Sequence, residues 1–328
     1  MSSAAHLDTP ASLPFSERIK QVPTVKTQRI FAFILLVVQA GITFTGSLVR
    51  VTGSGLGCNE WPLCHEGSLF PVRGAAPWVQ QFIEFGNRTL TFVVVAATIL
   101  VFYAVKKADR RKSLVNLAIV SGLGVILQAL IGGISVKLDL QWWAVALHFL
   151  PSMILVAVAA VLYMRLAEPD DAEPQRRFDS TASTLAIIAA IALCLVLVTG
   201  TMVTGSGPHS GDAGVGMEGR LELDTKMLAY VHAACMYVYL AFTLATAFIL
   251  RKKKAPQDAM KTVWVLLAMI VVQWAIGVAQ FYLGVPRWTV PAHIIMSGVV
   301  VAFTAFLWAH GQRRLPILSP KQYNTTTS

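Results

Sequence analysis

The chain has 328 residues, of which 55% are hydrophobic and only 13% are charged, and its formal net charge is +10. Soluble domains carry about 25% charged residues, so this composition excludes an ordinary soluble protein and indicates an integral membrane protein. The positive charge does not call for nucleic acid as a partner, because the excess of Lys and Arg in cytoplasmic loops explains it.

The chain begins with a polar segment, residues 1–28, that has no short apolar core followed by a small-residue cleavage site. We therefore expect a cytoplasmic tail and no cleavable signal peptide. Eight apolar runs follow, each long enough to cross a hydrocarbon core as a helix of about 20 residues. They are too long and too continuously apolar for barrel strands. The predicted spans are 29–49, 84–105, 113–134, 142–164, 183–203, 225–250, 261–283 and 288–309.

The Lys and Arg residues predict the orientation of these spans. With the N-terminus inside, 7 of the 27 basic residues fall on the outer side and the other 20 fall inside. Because cytoplasmic loops carry the excess of Lys and Arg, both termini are predicted to be cytoplasmic.

A polar, Pro-containing segment, residues 165–182, separates two halves of four spans each and is predicted to be a flexible cytoplasmic linker. Since four is an even number, the two halves are expected to have the same orientation in the membrane. The predicted organisation is an N-terminal half at 29–164, the linker, a C-terminal half at 183–309 and a cytoplasmic tail at 310–328.

Three polar positions inside apolar spans recur at one offset of 145 residues. They pair Asn87 with His232, Gln128 with Gln273 and His148 with His293. Shorter echoes agree with a duplicated helical unit: Thr-Gly begins similar stretches at 45 and 199, and Gln-x-x-Ile-Gly begins at 128 and 273. The sequence therefore predicts two related four-helix units, with a ligand pair in each and one pair altered.

Asn87, His148, His232 and His293 are predicted to lie at a similar depth near the outer ends of their helices. Ionisable groups within spans are rare and usually functional. The structural alternative is a histidine that hydrogen-bonds to a neighbouring helix. Two imidazoles facing each other across a bundle suit the two axial positions of a haem iron, whereas zinc would need further ligands that are not visible at this depth.

The two halves differ in an informative way. The second half has the complete pair His232 and His293, whereas the first half has only His148 and Asn87 but adds Glu84 and Arg88. A six-coordinate bis-histidine haem has no open position and suits electron transfer, so the first half is the candidate reactive site. An interfacial ion pair between Glu84 and Arg88 is the structural alternative.

Cys58 and Cys64 lie in the first outer loop, within Gly-Leu-Gly-Cys-Asn-Glu-Trp-Pro-Leu-Cys-His. In an oxidising compartment, two cysteines six residues apart are expected to form a disulfide. A redox-active pair and metal binding together with His65 remain alternatives.

Other polar residues receive structural interpretations. Gln128 and Gln273 are expected to make interhelical contacts, and Cys194 and Cys235 are expected to be small core residues. The remaining histidines lie in tails or loops and are expected to be solvated; they are His6, His209 and His310.

The loop Thr52-Gly-Ser-Gly with Cys58, Trp61-Pro62 and Cys64, followed by Glu84-x-x-Asn87-Arg88 and the three helix histidines, resembles the haem A synthase family. The likeness covers about residues 29–309. Members of this family are membrane enzymes that convert haem O to haem A for cytochrome oxidase.

The resemblance implies particular roles for residues of this chain. His232 and His293 would be the axial ligands of a haem b cofactor, and His148 would bind the iron of the substrate, haem O. Glu84 matches the catalytic glutamate, and Asn87 and Arg88 would lie at the substrate haem, where Arg88 would meet a propionate. The chain departs from the family pattern at Asn87, where the usual residue is His. It also lacks a second cysteine pair between 204 and 224.

The resemblance also implies partners and location. A multi-pass protein of the bacterial cell membrane, surrounded by lipid, would work with the haem O-producing enzyme and an electron acceptor, and a homo-oligomer is left open. Two other functions compete with this interpretation. A di-haem electron-transfer subunit would need two complete histidine pairs, and a transporter built from repeats would bind its substrate near the membrane midplane.

Overall fold

The computed structural model of the chain describes residues 21–209, 211 and 218–315. Over these residues the chain forms eight long helices and two short strands. They are α1 Val25–Val51, α2 Trp78–Lys107, α3 Lys112–Lys137, α4 Trp142–Arg165, β1 Pro174–Arg176, α5 Ser180–Ser206, α6 Thr225–Lys252, α7 Gln257–Tyr282, α8 Thr289–His310 and β2 Gln312–Arg314.

The eight helices confirm the predicted class, an all-α integral membrane protein. Each of the eight is long and apolar enough to cross a membrane. Large apolar side chains such as Phe92, Ile154 and Phe248 are exposed on the outside of the bundle. In a span, such side chains face lipid, while helical hydrogen bonds satisfy the backbone.

Several helices begin at a residue that satisfies or replaces free backbone N–H groups. Asp179 accepts hydrogen bonds from the N–H groups of the first turn of α5, and Asp224 does so for α6. Pro77 and Pro256 precede α2 and α7, and proline is tolerated there because its missing N–H has no helical partner. These caps start the helices beyond their apolar cores, so α2 begins six residues before the predicted span 84–105.

In the first half α1 contacts α2 and α4, and α3 contacts α2 and α4. In the second half α5 contacts α6 and α8, and α7 contacts α6 and α8. The halves meet mainly through α1, α4 and α8, where the backbone of Gly298 comes close to Ala40. The same neighbours occur in both halves, while the duplication itself stays a prediction.

The bundle has a loop end and a linker end. The loop end carries the segment 52–77 and the N-termini of α2, α4, α6 and α8. The linker end carries the segment 166–179 and both strands. The orientation of these ends relative to the cytoplasm stays a prediction, as do the tails, since residues 1–20 and 316–328 lie outside the described residues.

The predicted flexible linker is instead an ordered connection between the halves. β1 pairs antiparallel with β2, with Arg176 opposite Gln312. Ala172 and Phe178 are buried on either side of β1. Strand pairing and burial fix the backbone, which the polar and Pro-containing sequence of 165–182 did not indicate.

Ion pairs reinforce the linker end. The buried Glu168 carboxylate lies 2.8 Å from Arg111 and 3.0 Å from Arg165. Asp170 lies 2.6 Å from Arg110. Partial burial raises the pKa of Asp170, but hydrogen bonds and charges from Arg110 and Arg111 outweigh this, so its pKa lies below the ordinary value of 3.8.

Two expectations for single residues outside the site were wrong. Cys194 is exposed rather than buried in the core. His310 is buried rather than solvated, and it lies 3.1 Å from the hydroxyl group of Thr262. His209 is only partly buried, and it lies 2.9 Å from the carbonyl oxygen of Val285. His6 lies outside the described residues.

Candidate functional site

The histidine pair of the second half comes together across the bundle. The rings of His232 on α6 and His293 on α8 have centroids 6.3 Å apart and are inclined at 63°. His232 Nδ1 lies 3.0 Å from the carbonyl oxygen of Val196. A carbonyl oxygen can only accept a hydrogen bond, so the ring nitrogen must be the donor. Nδ1 therefore carries the proton, and Nε2 keeps the lone pair that a metal requires.

A glycine on the preceding helix makes room for each of the three histidine rings. A Cβ built at Gly132, Gly200 or Gly277 would lie 3.1 Å from the Cε1 atom of the facing histidine. These histidines are His148, His232 and His293, respectively. At that distance a side chain would press on the ring, so glycine allows each imidazole to pack closely against its neighbouring helix.

A glutamine and a serine connect α4 to α3, and an equivalent pair connects α8 to α7. Gln128 Nε2 donates to Ser152 Oγ at 2.7 Å, and this hydroxyl donates to the carbonyl oxygen of His148 at 3.0 Å. The second half has the same connection through Gln273, Ser297 and His293. The expected interhelical role of both glutamines is confirmed, and it fixes the turn on which the histidine lies.

Asn87 occupies the position in the first half that corresponds to His232. Thr45 Oγ1 donates to Asn87 Oδ1 at 2.7 Å, and Thr199 Oγ1 lies 3.2 Å from His232 Nδ1. Gly46 follows Thr45, and a Cβ built there would meet nothing within 4 Å. The first half therefore keeps the threonine partner and the space, but it lacks the ring that fills the space in the second half.

Glu84 and Arg88 form a buried ion pair one turn apart on α2. The side chain of Glu84 is 5% exposed, and its Oε1 lies 2.5 Å from Arg88 Nη2. Its Oε2 accepts a hydrogen bond from the backbone N–H of Cys58 at 2.7 Å. The ion pair that the sequence offers as the structural alternative is thus present, and it joins α2 to the loop.

Every N–H group of the Arg88 guanidinium has an acceptor. Nη1 donates to the carbonyl oxygens of Glu60 and Leu63, at 2.7 and 2.9 Å. Nη2 donates to the carbonyl oxygen of Cys58 at 2.6 Å and to Glu84, and Nε also donates to Glu84. A guanidinium has five N–H groups, so none is left for a haem propionate. Binding of a haem propionate by Arg88 stays a prediction, and in the structure the guanidinium binds Glu84 and three carbonyl oxygens instead.

Cys58 and Cys64 form the expected disulfide in the segment 52–77. Both ring nitrogens of the buried His65 are engaged, with Asn59 Oδ1 at 2.9 Å and Gln81 Oε1 at 2.8 Å. No metal-binding group of three or more residues occurs among the described residues. The structure therefore favours the disulfide over metal binding with His65, whereas redox activity of the disulfide stays untested.

The disulfide loop lies against the first half. A Cβ built at Gly133 would fall 2.3 Å from the ring of Trp61, and Gly133 follows the glycine that contacts His148. Gln81, which is fully buried, donates to the carbonyl oxygens of Val72 and Ala76 and so holds the end of the loop. The sequence analysis did not predict the packing of Trp61 against α3 or the role of Gln81, although the two adjacent glycines at 132 and 133 were a signal of close packing.

The residues of the second half fit a haem iron. An imidazole–metal bond is about 2 Å long. Two such bonds, added to the distance from each ring centre to its bonding nitrogen, come close to the observed 6.3 Å between the ring centroids. His293 Nδ1 is buried without a hydrogen-bond partner, so the ring is held by packing against Gly277. The first half fits one axial imidazole, because the amide of Asn87 is a poor ligand for iron.

Comparison with known proteins identifies one family. The model of the COX15-CtaA family, described as cytochrome oxidase assembly protein, matches residues 29–305. Among similar proteins, a Heme A synthase from Listeria monocytogenes serotype 4a is 26% identical over 300 residues, which are 86% of this chain and 94% of the other. One from Bacillus licheniformis is 29% identical over 246 residues, covering 72% and 80%. One from Bacillus pumilus is 34% identical over 138 residues, 42% of each chain.

Proposed function

The chain belongs to the COX15-CtaA family, and from that premise we propose that it is a haem A synthase. The proposed reaction is the oxidation of one methyl group of haem O to a formyl group, which gives haem A for cytochrome oxidase assembly. The coarser assignment, an oxidoreductase of haem A biosynthesis, agrees with the name of its curated relatives.

The observation that carries this proposal is the difference between the halves. In the second half two imidazoles face each other at 6.3 Å. In the first half the position of His232 is taken by Asn87, bound to Thr45, and a buried carboxylate, Glu84, lies one turn away on the same helix. A resident electron-transfer group and an exchangeable substrate require such different ligand sets.

In the second half, His232 and His293 hold the iron of a haem b cofactor in this proposal. A haem held by these two imidazoles would supply one-electron transfer. Val196 fixes the tautomer of His232, and the backbone of Gly277 lies against the ring of His293.

In the first half, His148 binds the iron of haem O in this proposal, and Asn87 lies on the opposite helix. Gln128 and Ser152 set the position of His148. The carboxylate of Glu84 stabilises positive charge on the carbon being oxidised or accepts a proton from it. Both of its oxygens already accept hydrogen bonds, which favours the electrostatic role.

A methyl group and a water molecule give a formyl group with the release of electrons and protons, so the reaction needs an electron acceptor. A haem b held by His232 and His293 would supply one-electron transfer towards that acceptor. Haem O comes from a partner enzyme that makes it. The chain carries out this work as a multi-pass protein in the bacterial cell membrane, in accord with its eight apolar helices.

The test is extraction and chromatography of haem from cells that make haem O, with and without this protein. Haem A should appear only with the protein, and Glu84→Ala should abolish haem A without removing the low-spin haem of the purified protein. A di-haem electron carrier would give no haem A in either strain. Normal haem A production by Glu84→Ala would leave Glu84 as a structural ion-pair residue.

A further inference from the structure

Two arginines from different halves meet at the loop end. Arg50 lies in the last turn of α1, and Arg220 lies in the segment that leads into α6. The Nη2 atom of each donates to the same carbonyl oxygen, that of Thr204 on α5, at 2.9 Å. The two Nη2 atoms are therefore no more than twice that distance apart.

These guanidiniums have donors without acceptors. Arg220 is 8% exposed, and its Nε and Nη1 atoms are buried without a hydrogen-bond partner, as is Nε of Arg50. Neither arginine forms an ion pair with any carboxylate of the described residues. Two adjacent positive charges repel each other, and buried N–H groups without acceptors are costly. An anion at this place would remove both costs.

The arginine pair lies close to the histidine pair of the second half. Thr204 is one helical turn beyond Gly200 on α5, and its hydroxyl donates to the carbonyl oxygen of Gly200 at 2.8 Å. Gly200 is the residue against which the ring of His232 packs. The carbonyl that both guanidiniums contact is therefore about 6 Å along α5 from this packing contact, towards the loop end.

We propose that Arg50 and Arg220 bind the propionate carboxylates of the haem held by His232 and His293. This inference rests on the proposed function. A haem has an apolar macrocycle with two carboxylates on one edge, so ligands within the apolar helices must be combined with cations towards the membrane surface. Nη2 of Arg220 already donates to the carbonyl oxygens of Thr204 and Gly207, but its Nε–H and Nη1–H groups and Nε–H of Arg50 remain, and each can donate a charge-assisted hydrogen bond to a carboxylate oxygen.

A structural consequence follows for the two halves. Arg50 belongs to the first half, whereas the iron ligands belong to the second. A haem bound in this way joins α1 to α5, α6 and α8. Loss of this haem would therefore loosen the contact between the halves at the loop end.

The experiment uses the full-length protein purified with its haem. Arg50→Gln and Arg220→Gln are compared with wild type and with Arg287→Gln, which removes an exposed arginine from the loop between α7 and α8. The rate of haem transfer to excess apomyoglobin and the midpoint potential of the low-spin haem are measured. The low-spin absorption spectrum checks that each variant is folded.

We expect both variants to release haem about tenfold faster or more, because each loses charge-assisted hydrogen bonds. Their midpoint potential should fall, since removing a nearby positive charge favours the ferric state. Arg287→Gln should match wild type. Arg220→Lys, which keeps the charge but loses the separate Nε–H and Nη1–H donors, should fall between wild type and Arg220→Gln.

Two results would contradict the arginine inference, and a third would contradict the proposed function. Haem release and potential equal to those of Arg287→Gln would overturn the arginine inference alone. Loss of co-purifying anionic phospholipid with unchanged haem release would also overturn it and would assign the site to a lipid phosphate. Absence of any low-spin haem that depends on His232 and His293 would instead overturn the proposed function.

Discussion

Replacing Arg88 by methionine should open the disulfide loop. Methionine fills similar space but has neither the charge nor the donors, so the carbonyl oxygens of Cys58, Glu60 and Leu63 lose their partner. Glu84 would keep a carboxylate that is only 5% exposed, without its counter-charge. The loop would therefore lose one of its attachments to α2, while Gln81 would still hold its end.

The magnitude follows from the burial of the ion pair. Removing one partner of a buried pair costs about 3–5 kcal/mol. The Arg88 side chain is 21% exposed, and solvent screening therefore favours the lower end, about 3 kcal/mol. At 1.4 kcal/mol for each factor of ten, opening of the loop should become roughly 10²-fold more frequent.

Disulfide reduction measures this opening. Cys58 and Cys64 are at most 1% exposed, so a soluble dithiol reaches them only when the loop opens. The rate of reduction in detergent-solubilised protein is followed by alkylation of the released thiols. The matched control is Arg73→Met, because Arg73 lies exposed in the same loop, with its guanidinium 5.9 Å from the ring centre of Trp78.

The same experiment separates two roles of Arg88. If Arg88 holds the loop, the disulfide of Arg88→Met should be reduced much faster than the disulfide of Arg73→Met. If it binds a haem propionate instead, the reduction rate should match the control while binding of haem O weakens. Equal reduction rates in the two variants would refute the attachment of the loop through Arg88.

Three further outcomes are expected. His293→Ala should abolish the low-spin haem signal of the purified protein, while His148→Ala should keep that signal and reduce haem A to background; the opposite pattern in absorption spectra would reverse the assignment of the halves. Asn87→His should raise the amount of low-spin haem per protein up to twofold, measured as extracted haem, because Thr45 and the space beside it remain in place; unchanged haem would contradict this. The depressed pKa of Asp170 means that its stabilising effect is complete above the ordinary value of 3.8 and is lost as the pH falls through the lower folded value. Asp170→Asn should therefore lower the thermal stability at neutral pH, and the variant should lose less stability than wild type when the pH is lowered. Thermal unfolding between pH 3 and 7 measures this, with Asp171→Asn as the control.

The sequence was sufficient for the spans and for the positions of the ligand candidates. Apolar length locates a transmembrane helix, and an offset shared by three polar pairs identifies the helices that carry the candidate ligands. The start of α2 was missed because Gln81 lowers the hydropathy of its first turns. In the structure the amide of Gln81 is fully satisfied by Val72, Ala76 and His65, so this polar residue extends the helix rather than ending it.

Charged residues were harder to interpret, because their roles depend on partners that are distant in sequence. The sequence offers Arg88 either an ion pair with Glu84 or a haem propionate, but it gives no sign of the carbonyl groups about 25–30 residues earlier in the chain that also accept from it. The sequence identifies Arg50 and Arg220 only as basic residues of the outer side, and Thr204 brings them together. Backbone carbonyl groups have no signature in the sequence, so such sites become visible only in the folded chain.

The two halves differ in the side chain at the candidate ligand position, Asn87 or His232, whereas the threonine that binds this side chain is present in both. Thr45 and Thr199 each bind the side chain at the ligand position, and glycine follows each threonine. The ring of His232 fills the space beside Gly200, whereas the space beside Gly46 stays open next to Asn87. A cofactor that stays bound benefits from two imidazoles, but a substrate must leave after reaction. In the proposed function, a single imidazole with an amide opposite it therefore suits the half that binds the substrate.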